Sequence, residues 1–153
     1  MSSFRRGDLV AIKGLSPDGR SVNEIGLVLS SDEGEPVSVY SSSARNTYSR
    51  ELFNFTKVES DIVPEYATAM RKQLKSQVSD EVAEDLSRST LEQIVRLYLE
   101  GLGETGDPIV AAGAAVNEYL PEELERYESD VSDILFRSRD WVEERCKTAQ
   151  EEY

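Results

Sequence analysis

The chain contains no histidine, one cysteine and one tryptophan in 153 residues. The missing histidine removes the commonest general base and the commonest metal ligand together. A single thiol, Cys146, cannot close an internal disulfide, so a cytosolic setting is the simpler expectation. No run of about 18 apolar residues exists, which excludes a helical membrane span. The opening segment MSSFRRGDLV carries Arg5 and Arg6 but no apolar stretch, so no secretory signal is expected. Cations are also scarce: 17 Lys and Arg face 30 Asp and Glu, for a net charge of −13. The imbalance is local. Residues 1–60 hold 7 Lys/Arg against 8 Asp/Glu, whereas residues 61–153 hold 10 against 22. A polyanionic surface repels phosphate and acidic lipid, so the C-terminal part is a poor candidate for binding nucleic acid or membrane.

What the first 58 residues do have is strand and turn texture. DLVAIK places Leu9, Ala11 and Lys13 on one face and Val10 and Ile12 on the other. Pro17, Asp18 and Gly19 then supply a turn, because proline presets φ and glycine accepts a positive φ. EIGLVLS is a short, nearly continuous apolar strand with Gly26 near its start. DEGEP turns the chain, VSVYS sets Val37 and Val39 inward against Ser38 and Tyr40, and RNTYSRELFNFTKV gives two further strands around a turn at SREL. Five short strands in about 55 residues suit a closed or nearly closed barrel, which removes exposed edges.

Gly7-Asp8-Leu9-Val10, Ile25-Gly26-Leu27-Val28, Val37-Ser38-Val39-Tyr40, and Tyr48-Ser49-Arg50-Glu51-Leu52 before Val58 follow in that order. The series resembles the small SH3-like barrels that are frequent in proteins of tailed bacteriophages, with Tyr40 standing where that family carries tryptophan. The resemblance covers about the first 58 residues. It implies a five-stranded SH3-like barrel, a platform that serves many ligands.

From Asp61 the period changes. Pro64 suits a first helical position, and Tyr66, Met70, Leu74 and Val78 follow at helical spacing. SDEVAEDL starts another short turn of helix. STLE reads as a capping box, Ser89 with Glu92, opening a helix whose apolar side holds Leu91, Ile94, Val95, Tyr98 and Leu99 and which Gly101 would stop. Asp107-Pro108 begins an alanine-rich helix, IVAAGAAVNEYL, whose small residues permit close approach of a neighbour. Pro121 opens a stretch readable as one helix to near the C-terminus. Its seam is Leu124, Tyr127, Val131, Ile134, Leu135, Trp141 and Val142, with Ser138 as a gap. About 30 residues at about 1.5 Å each make roughly 45 Å, longer than a compact domain of that size needs.

The expected architecture is therefore α+β: an SH3-like barrel over 1–60, then an acidic helical bundle over 61–153 ending in a long helix. VESDIVPEY is the hinge between them.

No catalytic constellation is found, and no cofactor or metal is expected. DEVAED, PEELERYESD and DWVEER lack histidine and EF-hand spacing, so they read as solvated faces, with Glu123–Arg126 and Asp140–Glu144–Arg145 as surface pairs. Ser41–Ser43 lack a nucleophile elbow, and Gly101, Gly103 and Gly106 are not followed by the Lys-Ser/Thr of a phosphate loop. Binding residues are easier to nominate. Tyr40, Arg45, Tyr48 and Arg50 interleave aromatic and basic side chains around the third and fourth strands. Leu124, Tyr127, Val131, Ile134 and Trp141 offer an apolar seam with a tryptophan anchor.

The expected function is a non-catalytic adaptor or assembly component of a tailed phage, in the host cytoplasm or the virion. It would dock on other protein chains, copies of itself among them, through the barrel and the long helix. The alternative is an acidic mimic of DNA that inhibits a host polymerase or nuclease. Nucleic-acid binding by the barrel itself is a third reading, and it requires that Arg45→Ala or Arg50→Ala reduce oligonucleotide affinity.

Overall fold

The computed structural model describes residues 4–30, 36–40 and 45–152. The chain divides into two compact units, and the division interrupts the sequence order. One unit runs up to Ile62 and resumes at Arg139; the other is Val63–Ser138. The expected division was 1–60 and 61–153; here the first break follows Ile62, and the last helix groups with the strands.

Five antiparallel strands form one open sheet in the order β4-β3-β2-β1-β5: β1 Leu9–Leu15, β2 Ser21–Ser30, β3 Val37–Tyr40, β4 Arg45–Tyr48 and β5 Phe53–Glu59. β4 and β5 are its edges and do not pair, so the sheet does not close as the strand count suggested. The β1–β2 turn forms where Pro17-Asp18-Gly19 places it. Gly19 has φ +86°, and the Arg20 N–H donates to Ser16 Oγ at 3.1 Å. The turn expected at Asp32–Glu35 and the Ser41–Ser43 loop lie outside the described residues.

Near-continuous apolar runs in β1 and β2 have a direct consequence: both faces are buried at the centre of the sheet, over Leu9–Ile12, Ile25–Leu29 and Val37–Tyr40. One face gathers Val10, Ile12, Val28, Val37, Val39 and Phe53 with Phe4 into a core. The other carries Leu9, Ala11, Ile25, Leu27, Leu29 and Tyr40, also buried, with Leu9, Leu27 and Tyr40 opposite one another in register. The C-terminal helix α6, Arg139–Glu152, packs on β2 and turns in Val142, Cys146 and Ala149, one stripe at helical spacing. The Gln150 side chain donates to the Asn23 carbonyl at 3.1 Å, and Arg145 pairs with Glu59 on β5.

A buried carboxylate ties the start of this unit to its exit. Asp8 Oδ2 accepts the Arg5 N–H at 2.8 Å, and Oδ1 accepts the Asp61 N–H at 2.7 Å across 53 residues. Lys57 Nζ lies 3.7 Å from the same carboxylate. The next N–H, from Ile62, donates to the Gly7 carbonyl at 2.8 Å. Asp61 holds φ +38°, unusual for a non-glycine residue, against this bond.

The helical unit contains α1 Val63–Gln77, α2 Asp80–Asp85, α3 Arg88–Thr105, α4 Pro108–Tyr119, a 3-10 segment Glu122–Tyr127 and α5 Glu128–Arg137. Two expected helix ends are displaced. The cap of α3 is Ser87, which accepts the Thr90 N–H at 3.1 Å, and Glu92 instead pairs with Arg88 at 3.6 Å. Leu86 and Leu91, flanking the true cap at the staple positions, are both buried and set the start there. Gly101 does not stop the helix; Gly106 does, with φ +72° and its N–H on the Leu102 carbonyl. Gly101 serves packing: a Cβ there would lie 3.0 Å from the Ala111 Cβ of α4. Asp107 caps α4 as expected, accepting the Ile109 and Val110 N–H groups at 3.0 and 3.3 Å, with Pro108 at the first position. The helical stretch after Pro121 is present, but in three pieces, as a 3-10 segment, α5 and α6.

Removing the Asp8 carboxylate strands two backbone donors in a buried site. Asp8→Ala is expected to cost about 2–4 kcal/mol of unfolding free energy and Asp8→Asn less, since the amide retains one acceptor oxygen. Urea denaturation measures both; equal midpoints for Asp8→Ala and the parent chain would contradict the clasp.

Candidate functional site

Of the residues expected to form a surface around β3 and β4, Tyr40 is not brought together with Tyr48 and Arg50. Tyr40 is 1% exposed and belongs to the face opposite Val37 and Val39, in the Leu9–Leu27–Tyr40 row. Its ring is core, closed to a partner by burial. Tyr48 opposes Val37 and so lies on the other face, half-buried, with its ring 5.0 Å from Phe53 in an edge-on contact. Its hydroxyl donates to the Glu24 carboxylate. Burial first, then that bond and the Glu24 charge, hold the phenol above its ordinary range. Arg50 is exposed and its guanidinium lies 5.6 Å over the Phe4 ring, which in turn is 5.6 Å from Phe55. Arg45 is in β4, its backbone opposite Tyr40. The aromatic corner is thus Phe4, Tyr48, Phe53 and Phe55 with Arg50 across it, and Tyr40 has no part in it.

The helical seam is likewise divided. Leu124, Val131 and Ile134 are buried within the helical unit, where α1 and α4 pack on α5. Trp141, partly buried, stands on α6 in the sheet unit. The break falls at Ser138, the position expected as a gap: it is buried, its hydroxyl donates to the Leu135 carbonyl, and it bonds the Tyr66 hydroxyl. Tyr127 is half-buried with the Arg126 guanidinium 4.8 Å from its ring. These residues fill a core that the sequence alone left without its second half.

The expected surface pairs are also exchanged. Arg126 reaches Glu81 of α2 at 3.8 Å, and Arg145 reaches Glu59. Among the described residues no group of three carboxylate, cysteine or histidine side chains is placed to hold a metal. Cys146 is buried, and its thiol is pushed up to about 12 by burial, against the pull of Arg145 and with a further push from Glu24. Such a thiol is inert at neutral pH.

Among the described residues, the large apolar side chains left open are Leu15 and Leu52 in one unit and Ile109, Val110 and Tyr119 in the other. Leu15 is 60% exposed and Leu52 is 49% exposed. Leu15 ends β1 and Leu52 directly precedes β5, each next to the terminal Gly14↔Phe53 pair. On α4, Ile109 is 66% and Val110 54% exposed, followed by exposed Ala114. The signal for Ile109 and Val110 was legible: PIVAAGAAV offers no polar position over nine residues, so a helix there has no face suited to water. Beyond it lies a recess of about 190 Å³ lined by Val116, Asn117, Leu120, Glu122, Glu125 and Glu128.

Comparison with protein-family models, with curated proteins and with solved structures gives no match. No helix among the described residues is long and apolar enough to cross a membrane.

The buried thiol yields a two-part prediction. At neutral pH a folded-state value near 12 leaves about a thousandfold less thiolate than the ordinary value near 9, so Cys146 should resist a disulfide reagent until denaturant is added. Because the folded value is the higher one, its contribution to stability is intact below about pH 9 and is lost as pH rises toward about 12. Tyr48 acts in the same direction above about pH 10. Denaturation midpoints from pH 8 upward should therefore fall, and between pH 9 and 10 they should fall less steeply in Cys146→Ala.

Proposed function

We propose that the chain is a non-catalytic adaptor or assembly component of a tailed bacteriophage, joining other protein chains through one docking spot on each of its two units. One observation carries this reading. Of the large apolar side chains left exposed, Leu15 with Leu52 and Ile109 with Val110 form two separate pairs, one per unit. Exposed apolar residues scattered singly need no explanation, but paired ones on otherwise charged surfaces mark contact sites. The second docking element is α4, replacing the C-terminal helical stretch, whose apolar seam is used internally.

The sheet unit is read as an SH3-like barrel left open at one seam. Three features support that: the order β4-β3-β2-β1-β5, a ten-residue β2 shared between β1 and β3, and the Tyr48–Phe53 ring contact between the two edge-strand segments. The curl that brings those rings together is what a barrel needs. The phage attribution rests on the Gly7-Asp8, Ile25-Gly26 and Val37–Tyr40 series.

The test is capture by the tagged full chain from infected-cell lysate, beside Leu15→Asp/Leu52→Asp and Ile109→Asp/Val110→Asp. Each site is exposed, so both double variants should stay folded within about 0.5 kcal/mol per substitution. The adaptor reading expects partners that survive a high-salt wash and are lost from one or other variant. A polymerase or nuclease released by salt, displaced by duplex DNA and indifferent to both variants would instead favour the mimic.

A further inference from the structure

We infer that the outer face of α4, with the carboxylate-lined recess at its C-terminal end, receives a cationic amphipathic helix of another protein. This rests on the adaptor reading and gives its helical unit a partner of defined chemistry.

The face is built on one helix with two distinct sides. Ala111, Ala112, Ala115 and Val116 are buried, the first against Gly101 of α3. Ile109, Val110, Gly113, Ala114 and Asn117 lie on the other side, at steps of three and four. Gly113 is the informative position. Its φ is ordinary, and an added Cβ would meet nothing within 4 Å, so neither turn nor internal packing requires glycine. A mid-helix glycine is destabilising by about 0.5–1 kcal/mol relative to alanine. It leaves a notch between Ile109, Val110 and Ala114, where a partner side chain or backbone can come close.

Charge selects the occupant. Along the axis from Val110 to Asn117 is about 10 Å, or two turns, and there the apolar stripe meets the recess with Glu122, Glu125 and Glu128 and no Lys or Arg in its lining. The carbonyl end of α4 adds to the negative potential. A helix lying along α4 would set apolar side chains on Ile109, Val110 and Gly113, and a Lys or Arg about two turns further on would enter the recess, its methylenes along Val116 and Leu120. A second copy is a poor occupant: α4 has no cation, and residues 63–138 carry 16 Asp/Glu against 7 Lys/Arg, so self-pairing sets carboxylate against carboxylate.

The test is a display library of helix-forming peptides of about five turns, panned on the full chain and counter-selected on Ile109→Asp. The recovered peptides should carry Lys or Arg beside an apolar stripe. A synthetic copy of the best should bind the chain with about tenfold lower affinity after Ile109→Asp, and severalfold lower after Glu122→Gln/Glu125→Gln/Glu128→Gln. Gly113→Leu should block it, while Gly113→Ala keeps or raises thermal stability. Recovery only of neutral or acidic peptides, or of none that distinguish the chain from Ile109→Asp, overturns the inference. So does dimerisation abolished by Ile109→Asp, which would put a second copy on the face. If α4 fails while capture still depends on Leu15 and Leu52, the adaptor reading stands without this partner; loss of both overturns both.

Discussion

The burial of both faces at the centre of one small sheet is the constraint on which the rest of the structure depends. A strand reading Leu-Val-Ala-Ile cannot leave either side wet, so the sheet needs two covers. The first is its own curl, which folds Phe4, Val28, Val39 and Phe53 into a core. A further layer comes from α6, which returns after the 76 residues of Val63–Ser138 and packs on β2, turning in the stripe Val142, Cys146 and Ala149. The helical unit is therefore an insertion between a sheet and its cover. Each unit has a buried polar group near its end: Asp8 accepts the Asp61 N–H in the sheet unit, and Ser138 bonds the Tyr66 hydroxyl in the helical unit.

That connectivity also regroups the charge. Counted by the fold rather than by the sequence halves, residues 63–138 are a net −9, and the remainder of the chain is −4. The acidity of the last helix thus belongs to the sheet unit, where Arg145 and Glu59 form one of its cross-links. Exposed pairs of this kind contribute little to stability individually. The core stripe of α6, rather than its charges, is the larger source of its attachment.

Much of this was legible in the residues. Pro17-Asp18-Gly19, the doubled apolar runs of β1 and β2, and Asp107-Pro108 each encode their structure locally, and each formed where expected. Tyr40 shows where local reading ends. Alternation in VSVY sets it opposite Val39, but whether that opposite side meets water is decided by tertiary packing, which alternation does not encode. The seam from Leu124 to Trp141 failed for a related reason. Helical period continues across Ser138, and nothing in a period says which partner a stripe meets. Gly101 and Gly106 are both stops by residue type; Gly106 takes the left-handed φ, and Gly101 lies against Ala111, where a Cβ would be 3.0 Å away.

α4 separates the needs of the fold from those of the surface. Its formation is secured at one end by the Asp107 carboxylate and Pro108, and along one side by Ala111, Ala112, Ala115 and Val116. The Ile109 and Val110 N–H groups take part in that cap, but their side chains and the bare Cα of Gly113 contribute to none of it. An isolated chain would gain from a polar residue at the first two positions and from alanine at the third. Exposed Ile109 and Val110 and the open Gly113 are thus surface features that the fold itself does not require, beside the carboxylates Glu122, Glu125 and Glu128.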